Sequence, residues 1–154
     1  MQPLNDDFYD DDFLRSILID VRTIALVGLS ARPMRPSHYV FAFMQRLGYR
    51  MVGVNPGLAG QEVLGSLVYA RLADIPFPID MVDIFRNSAA AGGVVDEALA
   101  LSPKPKAIWM QLDVRDDEAA QKAEAQNVKV VMNRCPKIEY MRLLSGLREQ
   151  IATP

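Results

Sequence analysis

The residues best suited to chemistry lie in one short loop after an apolar run that ends at Gly28. The loop contains one serine and two arginines: Ser30, Arg32 and Arg35. Pro36 and Ser37 then open a helical pattern, and we expect Ser37 to be the N-cap of that helix. The first turn of a helix has unpaired N–H groups and a partial positive charge, so a loop that leads into it can hold an anion. With two guanidinium groups nearby, the loop predicts a phosphate or diphosphate site.

The chain has 154 residues, half of them hydrophobic, and a formal net charge of −2. This predicts a single domain over 1–154 with one sizeable core and a short acidic tail at 1–9. Mixed acidic and basic residues argue against a nucleic-acid partner. No apolar run approaches the length of a membrane span, the N-terminus is acidic, and the single cysteine, Cys135, excludes an internal disulfide. We therefore expect a soluble, cytoplasmic protein.

Apolar runs and helical patterns alternate along the chain. Strands are predicted at 23–28, 51–54, 80–85, 107–112 and 128–132, with a small additional strand near 63–64, and helices at 10–19, 37–47, 88–101, 116–126 and 138–151. Strands separated by helices of this length indicate βαβ units with right-handed crossovers. The predicted fold class is α/β: a Rossmann-like, doubly wound, mostly parallel five-stranded sheet of order 3-2-1-4-5, flanked by helices.

In such a sheet a ligand binds outside the carboxyl ends of the strands, where the strand order reverses. Besides the first loop, two others leave the sheet near this point: one carries Asn55 and Pro56, the other Phe85 and Arg86. Asn55 and Pro56 supply an amide and an apolar wall where the ribose of a nucleotide usually lies. Phe85 and Arg86 are suited to stacking on a base or pairing with a phosphate. The topology therefore predicts a nucleotide pocket built from three loops.

Two other functions are open at this point. A small NAD(P)-linked oxidoreductase or epimerase has the same fold, but such enzymes carry Asp or Glu at the end of the second strand, where this chain has Asn55. The third glycine of the dinucleotide fingerprint and a placed proton shuttle are also missing. The other candidate is a protein-interaction domain, in which the first loop is structural and its arginines are solvated.

Six sequence blocks occur in order along the chain: Val27-Gly-Leu-Ser-Ala-Arg-Pro, Arg35-Pro-Ser, Gly53-Val-Asn-Pro-Gly57, Val82-Asp-Ile-Phe-Arg86, Trp109-Met-Gln-Leu112 and Asn133-Arg-Cys-Pro-Lys-Ile-Glu139. Together they resemble the small stand-alone CoA-binding proteins. Those proteins are similar to the N-terminal CoA-binding domain of the succinyl-CoA synthetase alpha subunit and of ADP-forming acyl-CoA synthetases. The resemblance covers about residues 12–147, nearly the whole chain.

The resemblance implies a Rossmann-like domain that binds coenzyme A or an acyl-CoA, with the pyrophosphate at the first loop and the helix N-terminus. The residues that it implies around the phosphates are Gly28, Ser30, Arg35, Pro36 and Ser37. Asn55 and Pro56 would border the adenosine, and Phe85 and Arg86 would flank the opening of the pocket.

The chain also departs from the synthetases. Leu58 stands where the synthetase subunit has a lysine, so recognition of the 3′-phosphate must come from elsewhere or be weaker. From a length of 154 residues we expect no counterpart of the synthetase domain with the phosphorylated histidine. We therefore expect a protein that binds CoA without catalysis, as a carrier, a sensor or a partner of an acyl-CoA enzyme.

Single residues with reactive side chains are assigned simple roles. His38 is expected on the surface in the first helical turn, and with one His and one Cys we expect no metal site. Asp80 and Asp83 lie three apart on a strand, hence on opposite faces, and form no catalytic pair. Trp109 is expected in the core, with contact to a pantetheine arm as the alternative. Cys135 is expected to be a quiet, partly buried thiol, with a mixed disulfide to CoA as the alternative.

Overall fold

The computed structural model describes residues 8–144, which form seven strands and five α-helices. The strands are β1 (Thr23–Val27), β2 (Arg50–Val54), β3 (Glu62–Val63), β4 (Ser66–Tyr69), β5 (Met81–Ile84), β6 (Ala107–Met110) and β7 (Lys129–Val131). The helices are α1 (Asp11–Asp20), α2 (Pro36–Arg46), α3 (Ser88–Leu99), α4 (Asp117–Glu124) and α5 (Pro136–Leu143). Among the described residues, no helix is long and apolar enough to cross a membrane.

The strands form one sheet in the order β3-β4-β2-β1-β5-β6-β7, in which only β3 runs antiparallel to its neighbour. The Rossmann-like α/β fold is confirmed, but the prediction of five strands is wrong because there are seven. The strand missed by the sequence is β4, which has one fully buried residue, Val68, and no clear period. Its pairing with Gly53 and Val54 of β2 makes it a strand, and that pairing is a tertiary interaction.

The sheet separates two apolar layers, and β1 contributes to both. Ala25 and Val27 pack into the layer beneath α3 and α4, whereas Ile24 and Leu26 pack into the layer beneath α1, α2 and α5. Burial on both faces explains why β1 is a continuous apolar run in the sequence. The outer strand β7 is bordered by the N-terminal segment, since the N–H of Met132 donates to the Tyr9 hydroxyl at 2.8 Å.

Several helix boundaries differ from the prediction. The N-cap of α2 is Arg35, with Pro36 in the first helical position, so the prediction that Ser37 is the N-cap is wrong. Pro36 supplies no N–H to be capped, and its fixed φ suits the first turn. For the same reason α5 begins at Pro136 rather than at 138. The predicted continuation of that helix beyond 144 lies outside the described residues, as do residues 1–7 of the acidic tail predicted at 1–9.

Asp83 is an unusual residue for the middle of a sheet. It is 1% exposed, its partners in register are Leu26 and Trp109, and both carboxyl oxygens lack a hydrogen-bond partner among the described residues. Burial away from water penalises the charged form, so the pKa of Asp83 is raised well above its ordinary value. The folded protein therefore holds a neutral carboxyl group at a pH at which the unfolded chain is ionised.

This buried carboxyl group should make the protein less stable as the pH rises. Below about pH 4 the Asp83 carboxyl group is neutral in both the folded and the unfolded state. Above this pH the unfolded chain loses the proton while the folded protein keeps it. The free energy of unfolding therefore falls by up to about 1.4 kcal/mol per pH unit until the raised pKa of the folded state is reached. Asp83→Asn removes this loss. Urea denaturation between pH 4.5 and pH 8 should therefore show that the free energy of unfolding of the variant increases relative to that of the wild type as the pH rises. A difference between the two proteins that stays constant over this range would contradict the assignment.

Candidate functional site

The crevice lies at the carboxyl ends of β1, β2 and β5, where the sheet order reverses. The chain leaves β1 through Gly28, whose φ of +99° is unfavourable for residues with a side chain. A Cβ at this position would lie 2.9 Å from the carbonyl oxygen of Phe85, because the loops after β1 and β5 approach closely there. Gly28 is therefore required for the turn and for the distance between these loops.

The loop after β1 is held together by polar side chains that point into it. The N–H of Ser30 donates to the Ser37 hydroxyl at 3.0 Å, and the Ser30 hydroxyl accepts from the N–H of Arg32 at 3.1 Å. The His38 Nδ1 lies 2.9 Å from the Ser30 carbonyl oxygen. Ser37 is only 6% exposed, and His38 is partly buried rather than on the surface as expected. These residues fix the shape of the loop.

Asn55 connects this loop to the end of β2. Its Nδ2 donates to the Leu29 carbonyl at 2.7 Å, and its Oδ1 accepts from the N–H of Gly57 at 2.9 Å. Gly53 in β2 allows the loop after β1 to lie close to β2, because a Cβ at this position would overlap the Leu29 side chain. The Asn55 amide therefore connects the loop after β1 to the loop after β2 by hydrogen bonds.

The crevice contains a cavity of about 620 Å³ beside the loop after β1, which we call the first cavity. The groups in its lining that bind an anion best remain available. Arg32 and Arg35 line it, both are exposed, and neither guanidinium has a partner among the described residues. Within the same range, the N–H groups of Ala31 and Ser37 also donate to no other residue. Two cations and two free amides thus surround one cavity at the N-terminus of α2.

A second cavity of about 600 Å³ adjoins the first and shares Gly28, Asn55 and Phe85 with it. Arg71 and Arg86 both line it. Arg71 was not predicted from the sequence, because it follows the short strand β4 and no local pattern marks it. Its guanidinium pairs with Asp74 at 3.0 Å, and this hydrogen bond raises the pKa of Arg71 above its ordinary value, so it stays charged.

The residues predicted for the site all line these two cavities. The first cavity contains Gly28, Ser30, Arg35, Pro36, Ser37, Asn55 and Phe85, and the second adds Pro56 and Arg86.

Trp109 and Asp80, to which the sequence analysis assigned no part in the site, lie outside these two cavities. Trp109 is fully buried and donates through Nε1 to the Arg134 carbonyl at 2.8 Å, as expected for a core residue. Asp80 accepts from the N–H groups of Arg22 and Thr23 at the opposite end of β1. Within 8–144 there is no group of three His, Cys, Asp or Glu residues that could hold a metal ion.

Fold and site together define a Rossmann-like domain with a cationic crevice of the size and position that a nucleotide requires. The sequence matches the family described as "CoA binding domain" over residues 22–141. The chain belongs to this family of CoA-binding domains, as the six sequence blocks implied.

Known proteins similar to this chain include two that it covers almost completely and a much longer enzyme. The chain is 36% identical over 127 residues to the uncharacterized protein YneT of Bacillus subtilis, which covers 82% of this chain and 91% of that protein. A hypothetical protein from Pyrococcus horikoshii superimposes with a TM-score of 0.84 and 33% identity, over 94% of this chain and 98% of that chain. A dinucleotide-forming acetyl-coenzyme A synthetase of Ca. Korarchaeum cryptofilum shares the fold, with a TM-score of 0.57 and 19% identity, over 70% of this chain and 25% of the enzyme.

Gly28→Ala tests the close approach of the loops after β1 and β5. The added Cβ meets the Phe85 carbonyl oxygen in an unfavourable backbone conformation, so we expect a loss of about 1–3 kcal/mol in the free energy of unfolding. The matched control is Gly93→Ala in α3, where no atom lies within 4 Å of the new methyl group and a gain of about 0.5–1 kcal/mol is expected. Equal effects of the two substitutions in urea denaturation would show that Gly28 is not constrained.

Proposed function

We propose that this protein binds coenzyme A, free or acylated, with the pyrophosphate in the first cavity, and that it catalyses no reaction of its own. The observation that carries the proposal is that the guanidinium groups of Arg32 and Arg35 and the neighbouring N–H groups of Ala31 and Ser37 have no partner within residues 8–144. A diphosphate offers several oxygens that accept from both kinds of donor. Family membership supports CoA as the nucleotide.

The adenosine half is assigned to the second cavity. Pro56 and Phe85 provide apolar surface there, and Arg71 and Arg86 provide positive charge. Leu58, the residue in place of the synthetase lysine, lines the first cavity and cannot pair with a phosphate. We therefore assign the 3′-phosphate to Arg86, since the guanidinium of Arg71 is already paired with Asp74. Both arginines are exposed, as recognition of a terminal phosphate requires.

A binding role is favoured over catalysis because the polar side chains in the loop are already engaged. The Ser37 hydroxyl accepts from the N–H of Ser30, and His38 Nδ1 lies against the Ser30 carbonyl, so the two do not form a nucleophile and base pair. Asn55 is likewise committed to Leu29 and Gly57, and it offers no carboxylate to a ribose as an NAD(P) enzyme would. A carrier or sensor of CoA or acyl-CoA in the cytoplasm, acting with a protein partner, fits these features.

The phosphate assignment predicts the effect of removing the two free cations. Arg32→Ala combined with Arg35→Ala should weaken CoA binding in isothermal titration by about tenfold or more, since a hydrogen bond to a charged group contributes about 1.5–3 kcal/mol. The affinity of the wild type should also fall with added salt, because both arginines are exposed to solvent.

The control for this experiment is Arg46→Ala. Arg46 is an exposed arginine in the last turn of the same helix and lines neither cavity, so its removal changes the net charge but not the site. A loss of affinity as large as that of the double variant would mean that only the overall charge matters. Preference for NAD over CoA in parallel titrations would overturn the proposed function.

The assignment of the 3′-phosphate to Arg86 is tested with 3′-dephospho-CoA. The wild type should bind CoA more tightly than the dephosphorylated form, and Arg86→Ala should reduce this ratio by about tenfold while leaving the affinity for dephospho-CoA unchanged. Calorimetry with both ligands on both proteins gives the ratio directly. An unchanged ratio in Arg86→Ala would locate the 3′-phosphate at another residue.

A further inference from the structure

The second cavity has one acidic residue in its lining within residues 8–144, Glu97 of α3. Glu97 is exposed, and its carboxylate has no hydrogen bond or ion pair in the part of the chain that the structure describes. In a crevice suited to phosphate groups, a carboxylate repels the ligand unless the ligand brings a hydrogen-bond donor to it. Glu97 therefore favours a ligand with a donor at this position.

Glu97 lies in the part of the second cavity that the first cavity does not share. It is nine residues beyond Ser88, which corresponds to about 13 Å along the axis of α3 from the carboxyl edge of the sheet. Val94 lies three residues earlier on the same face of the helix and also lines the cavity, as does the buried side chain of Leu72. This part of the cavity therefore combines apolar surface with one carboxylate.

Arg71 accompanies Glu97 there. The pKa of Arg71 is raised first by its hydrogen bond to Asp74, and the negative charge of Glu97 contributes to the same shift, so the two side chains lie near each other. The Nε and Nη2 groups of Arg71 donate to Asp74 at 3.5 Å and 3.0 Å. Its Nη1 group has no partner among the described residues. Arg71 and Glu97 thus present one donor and one acceptor side by side.

We propose that Glu97 selects the adenine base of the ligand by accepting a hydrogen bond from its 6-amino group, while Arg71 Nη1 donates to the adjacent ring nitrogen N1. This inference rests on the proposed function, because the pyrophosphate in the first cavity and the 3′-phosphate at Arg86 determine where the base lies. Adenine carries a donor at position 6 and an acceptor at position 1, which complement the carboxylate and the guanidinium. The flat faces of the base pack against Val94 and Leu72.

The same pair rejects a base with the opposite pattern. Hypoxanthine carries a carbonyl oxygen at position 6 and an N–H at position 1. In the same orientation, its oxygen would face the Glu97 carboxylate and its N–H would face the Arg71 guanidinium. Both contacts become repulsive, and specificity depends on such unfavourable contacts with the wrong ligand as much as on favourable contacts with the right one.

The test is calorimetric titration with CoA and with its hypoxanthine analogue, in which oxygen replaces the 6-amino group. The wild type should bind CoA at least about tenfold more tightly than the analogue. Glu97→Gln preserves the size of the side chain, and its amide can present either its oxygen to adenine or its nitrogen to hypoxanthine. The ratio of the two affinities should therefore fall to about two or less in this variant.

The matched control is Asp96→Asn. Asp96 is the neighbour of Glu97 in α3, pairs with Lys122 at 2.7 Å and lines neither cavity. Its substitution removes the same charge from the same helix without touching the base. Both affinities should change by the same factor, so that the ratio stays at its wild-type value.

The outcomes separate this inference from the proposed function. If the wild type binds both ligands equally, or if Glu97→Gln keeps the wild-type ratio, the assignment of the base to Glu97 is wrong and CoA binding stands. A fall of the ratio in Asp96→Asn as large as that in Glu97→Gln would also overturn the inference, since the charge of α3 and not a contact would then decide. If the wild type binds neither ligand, the proposed function fails and the inference fails with it.

Discussion

The close approach of the chain at Gly28 to the carbonyl of Phe85 determines the geometry of the whole crevice. Parallel strands end at one edge of a sheet, but their loops form a shared pocket only if they can lie against each other without side chains between them. Here the missing Cβ at Gly28 brings the loops after β1 and β5 together, and the missing Cβ at Gly53 does the same for the loops after β1 and β2. Phe85 lines both the first and the second cavity because of this arrangement.

The polar residues of the crevice divide into two groups with different tasks. The uncharged ones, Ser30, Ser37 and Asn55, satisfy backbone groups of the neighbouring loops and so give these loops one conformation. In the first cavity, the charged side chains of Arg32 and Arg35 have no partner among residues 8–144 and extend from that fixed framework. A site whose loops are ordered before binding loses little conformational entropy when the ligand arrives.

The elements that could be predicted from the sequence are those determined by local pattern. A continuous apolar run predicted β1, helical spacing predicted α2, and the order of strands and helices predicted the position of the crevice. The features that the sequence did not predict depend on partners elsewhere in the chain. β4 is a strand because it pairs with β2. The Ser37 hydroxyl stabilises the loop after β1, rather than capping α2, because it accepts a hydrogen bond from the N–H of Ser30. Arg71 was missed for the same reason, since only the folded sheet brings it to the crevice.

The contact between Tyr9 and Met132 has a consequence for how molecules of this protein meet one another. Within residues 8–144, β7 pairs only with β6, so no other strand of this range satisfies the backbone donors and acceptors of its outer edge. The Tyr9 hydroxyl occupies one of these donors, the N–H of Met132, and the Arg134 guanidinium lies over the Tyr9 ring at 5.3 Å. The segment before α1 therefore covers one position of this edge, at which a strand of another molecule could otherwise pair, and it does so away from the crevice at the carboxyl ends of the central strands.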